Sequence, residues 1–140
     1  MRRIEIIFLI LTIFLISACS NNKEDINSAY KLNEEITYKN YQLTVTNFFI
    51  NDLEIGLNNS DVILYIYIEY PLTESIFNND VYLKTISGKK IEHYSVDGLD
   101  YLGGLNRQIL SFVRFSVPKN EKQVIIYIND EIRVYINLEG

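Results

Sequence analysis

An all-β sandwich of about seven short strands is the fold this sequence predicts for residues 35–140, on three observations. Apolar residues there recur with a period of two, and no stretch shows the 3.6-residue period of a helix. The alternating stretches are rich in Ile, Val, Tyr and Phe, side chains that suit a pleated, half-buried surface. Between them lie short runs bearing Gly, Pro, Asn and Asp, the residues that turns require. A closed barrel of similar length has the same alternation, so the pattern alone does not separate the two.

Taken in order, the first strand is Tyr41 to Thr46, where Tyr41, Leu43 and Val45 alternate with polar residues and Ile36 to Tyr38 begins the same hairpin or edge. Parity breaks at Asn47-Phe48-Phe49-Ile50, as it does at a bulge or where a strand changes sheet. Asn51 to Asn59 carries Gly56 and reads as a loop. Asp61 to Tyr70 is the most strongly β stretch and is expected at the centre of a sheet. Val62, Leu64, Ile66 and Ile68 should face the core, with Ile63, Tyr65, Tyr67 and Glu69 outward, and Pro71 ends the strand. Val81 to Ile86 and Lys89 to Tyr94 flank Ser87-Gly88 as a hairpin, and the three glycines between Asp97 and Asn106 mark a loop. Arg107 to Val117 places Ile109, Val113, Phe115 and Val117 on one face before Pro118. Gln123 to Ile128 and Glu131 to Leu138 are joined by Asn129-Asp130, a pair suited to a tight two-residue turn.

Upstream, residues 1–18 have the form of a secretory signal, with Arg2 and Arg3 before an apolar run from Ile6 to Ile16 interrupted only by Thr12. That run is shorter than the roughly 20 residues a spanning helix needs, which favours cleavage over an uncleaved anchor. Leu15-Ile16-Ser17-Ala18-Cys19 resembles the lipobox of bacterial lipoproteins, in which an aliphatic and two small residues precede the cysteine that becomes the lipid-modified N-terminus. The resemblance implies lipidation at Cys19, with palmitate or a similar acyl chain, and anchoring at the extracytoplasmic face of a bacterial cell membrane. Cys19 is the only cysteine, so a lipidated chain has no thiol left for a disulfide. Residues 19–34 are polar, with too few apolar groups to bury a face, and are expected to form a flexible tether with room for a short helix from Lys23 to Leu32. The domain proper is then 35–140, a length that suits one core.

Two further segments carry a resemblance: Val81 to Ile91, with its Ser87-Gly88-Lys89 turn, and Leu105-Asn106 through Phe115-Ser116-Val117-Pro118-Lys119. They resemble the telokin-like, immunoglobulin-like domains of unknown function found in Gram-positive surface lipoproteins. In that family one strand ends in a Gly-Lys turn and a later one in Phe-x-Val-Pro-Lys before a final hairpin. The chain departs from the family at Arg107-Gln108, where Pro-Gly is frequent, and at Tyr70-Pro71, where an asparagine usually ends the central strand. The resemblance implies an immunoglobulin-like sandwich and no catalytic residues.

Charge and composition narrow the function classes. The net charge of −5 becomes more acidic when Arg2, Arg3 and Glu5 are removed by cleavage, which opposes binding to nucleic acid or to anionic lipid by charge alone. His93 is the sole histidine, so a two-histidine metal site is excluded, and with Cys19 acylated no thiol ligand remains. His93 is expected as a solvent-exposed strand residue and not as a general base, because its strand neighbour Glu92 lies on the opposite face and does not orient it. Asp97-Gly98-Leu99-Asp100 lacks the spacing of a calcium loop and reads as a turn. No metal, cofactor or catalysis is therefore expected. The residues that invite a functional reading are outward aromatics: Tyr65, Tyr67, Phe112, Tyr127 and Tyr135, edged by Arg114 and Arg133 if their strands are neighbours. They suggest a binding or accessory module with a protein, glycan or wall-polymer partner. An immunity-type lipoprotein that sequesters a toxin at the membrane has the same features.

Overall fold

The computed structural model describes residues 23–51, 58–71, 80–103 and 106–139. The signal segment, Cys19 and most of the loop expected at 51–59 lie outside them. After a 3₁₀ turn at Ile26–Ser28 come nine strands: β1 (Tyr30–Lys31), β2 (Ile36–Tyr38), β3 (Tyr41–Asn51), β4 (Asn59–Pro71), β5 (Val81–Thr85), β6 (Lys90–Gly103), β7 (Asn106–Pro118), β8 (Gln123–Ile128) and β9 (Ile132–Asn137). They form one mixed sheet, nearly closed into a barrel, in the order β1-β9-β8-β5-β6-β7-β4-β3-β2. Every pairing is antiparallel except that of β1 with β9.

The all-β expectation holds, but the strands do not part into two sheets. The reason lies in β6. Its first residues, Lys90 to Glu92, pair with β5, whereas His93 to Gly103 pair with β7, and the register slips between His93 and Ser95 where the partner changes. A bulge bends and twists a strand, so a single strand can turn the corner between two layers. The loop expected over Asp97 to Asn106 is also corrected. Gly98 to Gly103 continue β6 opposite Asn106 to Ser111, because cross-strand pairing outweighs the weak strand preference of glycine. β2 is the Ile36–Tyr38 start expected for a hairpin with β3, whereas β1, only two residues long, leaves no pattern in the sequence.

Alternation sorts the side chains as the sequence implies. Val62, Leu64, Ile66 and Ile68 of β4 are buried beside Val113, Phe115 and Val117 of β7 and Leu43 and Val45 of β3. Across the interior they share one cluster with Leu83, Val124, Ile126, Val134 and Ile136 from the other layer. The predicted parity break in β3 is a register shift between Val45 and Asn47, after which Phe48 and Ile50 take over the inward positions and pack on the core. The β8–β9 turn has Asn129 and Asp130 both left-handed, at φ 54° and 59°, the conformation a tight hairpin of right-twisted strands needs.

Residues 23–34 fall within the stretch expected as a tether, yet they lie along the sheet. The Glu24 amide donates to the Ile86 carbonyl at 3.1 Å, β1 pairs with β9, and the Asn33 amide donates to the Val45 carbonyl at 2.8 Å. At the barrel end where Glu24 sits, Ile86, the Asn120–Gln123 connection and Glu139 line a common cleft. The opposite end carries the Asn129-Asp130 turn and, beyond it, the far end of the long β6–β7 pair.

Truncating core side chains at the layer interface should cost about 2–5 kcal/mol each, the usual range for buried large-to-small changes. Ile66→Ala and Phe115→Ala should therefore lower the denaturation midpoint clearly, while Ile63→Ala, half-buried on the outer face, should lower it less. Urea titration followed by circular dichroism gives the comparison, and equal losses at positions 63 and 66 would show that both faces of β4 bear the core.

Candidate functional site

Outward positions on β3, β4 and β7 line up in register rows. Phe49, Ile63 and Arg114 form one row, Asn47, Tyr65 and Phe112 the next, then Thr44, Tyr67 and Leu110, and finally Gln42, Glu69 and Gln108. Adjacent strands lie close to 5 Å apart, so each row is a line of touching side chains. Tyr65 and Phe112 meet edge to face with centroids 5.1 Å apart, the favoured geometry for an aromatic pair. The Tyr67 hydroxyl donates to Glu69 Oε2 at 3.2 Å and Gln108 Nε2 donates to the same oxygen at 3.3 Å. Phe49 is 58% exposed, an unusual position for a phenylalanine.

One end of this face is held by an acid that sequence reasoning did not single out. Asp61 points outward on β4 yet is only 1% exposed, because Arg114 and Tyr94 close over it. Tyr94 Oη donates to Asp61 Oδ1 at 2.5 Å, and Arg114 Nη2 donates to Oδ2. The Arg114 guanidinium carbon also lies 5.6 Å from the centre of the Tyr94 ring. Tyr94 reaches this place from the β6 bulge, and it remains 47% exposed. Burial alone would push the Asp61 carboxyl up, but the hydrogen bonds from Arg114 and Tyr94 outweigh it and hold the group below its ordinary value. The sequence pattern placed Phe49 at a parity break, Asp61 at a strand start and Tyr94 at a strand end. What it lacked was the partner of Asp61, which lies 53 residues away.

The five aromatic candidates are not brought together. Tyr65, Tyr67 and Phe112 share the face just described, but Tyr127 and Tyr135 belong to β8 and β9, and β5, β6 and β7 stand between β8 and β4. Tyr127 is moreover 7% exposed, which corrects its assignment to an open surface. It does point away from the main core, but it is covered. Its ring stacks on Tyr82 at 5.0 Å and 6°, Lys84 lies over it at 4.7 Å, and its hydroxyl donates to Glu24 Oε2 at 2.5 Å. Tyr135 is half-buried on β9, opposite Lys31 of β1. Arg133 donates to the Ser28 hydroxyl, so it anchors the N-terminal segment and does not edge an aromatic face.

His93 is half-buried, contrary to the exposed position expected. The bulge turns it toward β5, where Nδ1 donates to the Val81 carbonyl at 2.9 Å and the ring meets Phe115 edge-on at 6.4 Å. That contact gives it a packing role. Among the described residues no three His, Cys, Asp or Glu side chains gather as metal ligands, and no helix is long and apolar enough to cross a membrane. Compared with known proteins, the chain matches no family model, no curated protein and no solved structure.

The Asp61 cluster makes a pH prediction. A carboxyl whose folded pKa is depressed contributes stability that is complete above its unfolded value, here 3.8, and is lost as pH falls through the lower folded value. Asp61→Asn should lower stability at pH 7 and flatten the loss of stability on acidification below that value. Melting curves of both proteins from pH 7 down to the acid transition measure this, and parallel acid limbs would show that the pair does not set the acid response.

Proposed function

We propose that the protein is a membrane-tethered extracytoplasmic lipoprotein whose domain acts as a non-catalytic binding module, with the outer face of β3, β4 and β7 as its contact surface. The observation that carries the reading is the patch that Phe49, Ile63, Tyr65 and Phe112 form across two adjacent rows, apolar and aromatic side chains that stand half-buried or exposed on an outward face. Aromatic groups of this kind supply large, rigid contact area, and interfaces concentrate their energy in a few such anchors. The clasped Asp61–Arg114 pair at one border gives that surface a fixed polar edge. Within this reading the lipobox supplies the anchor at Cys19, and a protein or cell-wall glycan is the partner class. The likeness to telokin-like, immunoglobulin-like lipoprotein domains belongs to the same reading, with which a β-rich body is compatible.

Two measurements in cells test it. Metabolic labelling with an alkyne-bearing palmitate should mark the native protein and fail on Cys19→Ser, because no other residue supplies a thiol. A photo-crosslinking amino acid at Phe49 or Tyr65 should give a discrete adduct, whereas the same group at exposed Glu131 should not. Adducts at position 131 alone would move the contact surface away from β3, β4 and β7, and unchanged labelling of Cys19→Ser would refute the anchor.

A further inference from the structure

The N-terminal segment is fastened to the barrel at points that fix where the chain emerges. Glu24 is held three ways: its amide donates to the Ile86 carbonyl, Lys84 Nζ pairs with Oε1 at 3.1 Å, and Tyr127 donates to Oε2. Its side chain is 13% exposed, and these hydrogen bonds outweigh the effect of burial and keep it ionised below the ordinary carboxyl range. Four residues on, Ser28 accepts from Arg133, and Tyr30 and Lys31 then add to the edge of β9. The chain thus climbs from the level of Ile86 toward that of Arg133, which sets Glu24 at the Ile86–Lys89 end of the barrel.

Only Ser20 to Lys23 separate Cys19 from Glu24. Five Cα steps span at most about 18 Å, against a reach of more than about 50 Å for a free tether running to Glu35. We propose that this segment is an orienting clasp, which holds the barrel with its Ile86–Lys89 end against the lipid headgroups and directs the far end of the β6–β7 pair away from the bilayer. The inference rests on the lipid anchor proposed above. Exposed Lys23, Lys89 and Lys119 stand at the membrane-facing end, with Glu121 among them and Lys122 paired to Glu139, so nearness is imposed by the leash and does not depend on strong charge attraction. β6 runs from Lys90 at this end to Gly103 at the other, a contour of about 45 Å at the usual rise per residue that the bend at His93–Ser95 shortens in a straight line.

The test uses the full-length lipidated protein in phosphatidylglycerol-containing liposomes, with a nitroxide placed through Ser87→Cys or, in a second sample, Glu131→Cys. Collision with a nickel-chelating lipid should be several-fold more frequent at position 87 than at 131. Adding Glu24→Ala and Arg133→Ala should shrink that contrast, because the released leash lets the barrel tumble. Equal collision rates at the two positions with acyl label present on Cys19 would overturn the orientation alone. Absence of acyl label would overturn the anchor and the orientation together.

Discussion

The constraint on which the rest of this structure depends is the change of partner within β6. A nine-stranded sheet can enclose one core only if it bends sharply somewhere, and here the bend falls between His93 and Ser95. Before it, β6 belongs to the layer of β5, β8 and β9; after it, to the layer of β7, β4 and β3. Phe115, fully buried, sits opposite His93 at this corner, and the His93 bond to the Val81 carbonyl ties the departing strand back to β5. The same bulge aims Tyr94 outward onto Asp61, so the irregularity that closes the fold also builds the polar border of the outer face.

How far the sequence disclosed this follows from the range of the interactions. Face assignments in β4 and β7 are local, since a period of two along one strand decides them, and they hold at Val62, Leu64, Ile66, Val113 and Phe115. The Asn129-Asp130 turn and the break at Asn47 are local as well, set by two or three residues of backbone preference. Contacts that join distant segments left no such trace. Tyr127 alternates as an outward residue, and nothing along β8 indicates that Glu24, 103 residues earlier, will close over its hydroxyl. Asp61 likewise looks like a solvated strand start until Arg114 and Tyr94 are brought beside it. Gly98 and Gly103 argued for a loop because pairing with β7 is a long-range gain that local propensity does not contain.

The two outer faces of the barrel therefore differ in kind, although their sequences look alike. On β5 and β8 the stacked Tyr82 and Tyr127 carry Lys90 at 4.1 Å and Lys84 at 4.7 Å over their rings, and Glu24 of the N-terminal segment accepts from the Tyr127 hydroxyl. Tyr82 donates to Asp130 Oδ1 at 2.7 Å, and burial together with that bond pushes its hydroxyl pKa up, so both rings stay neutral donors at any ordinary pH. This layer is a second, smaller core. On the outer face of β3, β4 and β7 Tyr65 meets Phe112 edge to face, Tyr67 donates to Glu69, and Phe49 has more than half its surface in solvent.

That asymmetry connects packing to use. A segment that folds over an aromatic surface removes it from recognition and converts it into stability, since each buried apolar Å² is worth about 25 cal/mol whichever partner covers it. The chain places its own Glu24 over Tyr127 and Lys84 of β8 and β5 and leaves the face of Phe49, Tyr65 and Phe112 without comparable cover among the described residues. One layer is covered at Tyr127 by the incoming chain, and the other keeps Phe49, Tyr65 and Phe112 on its outer face.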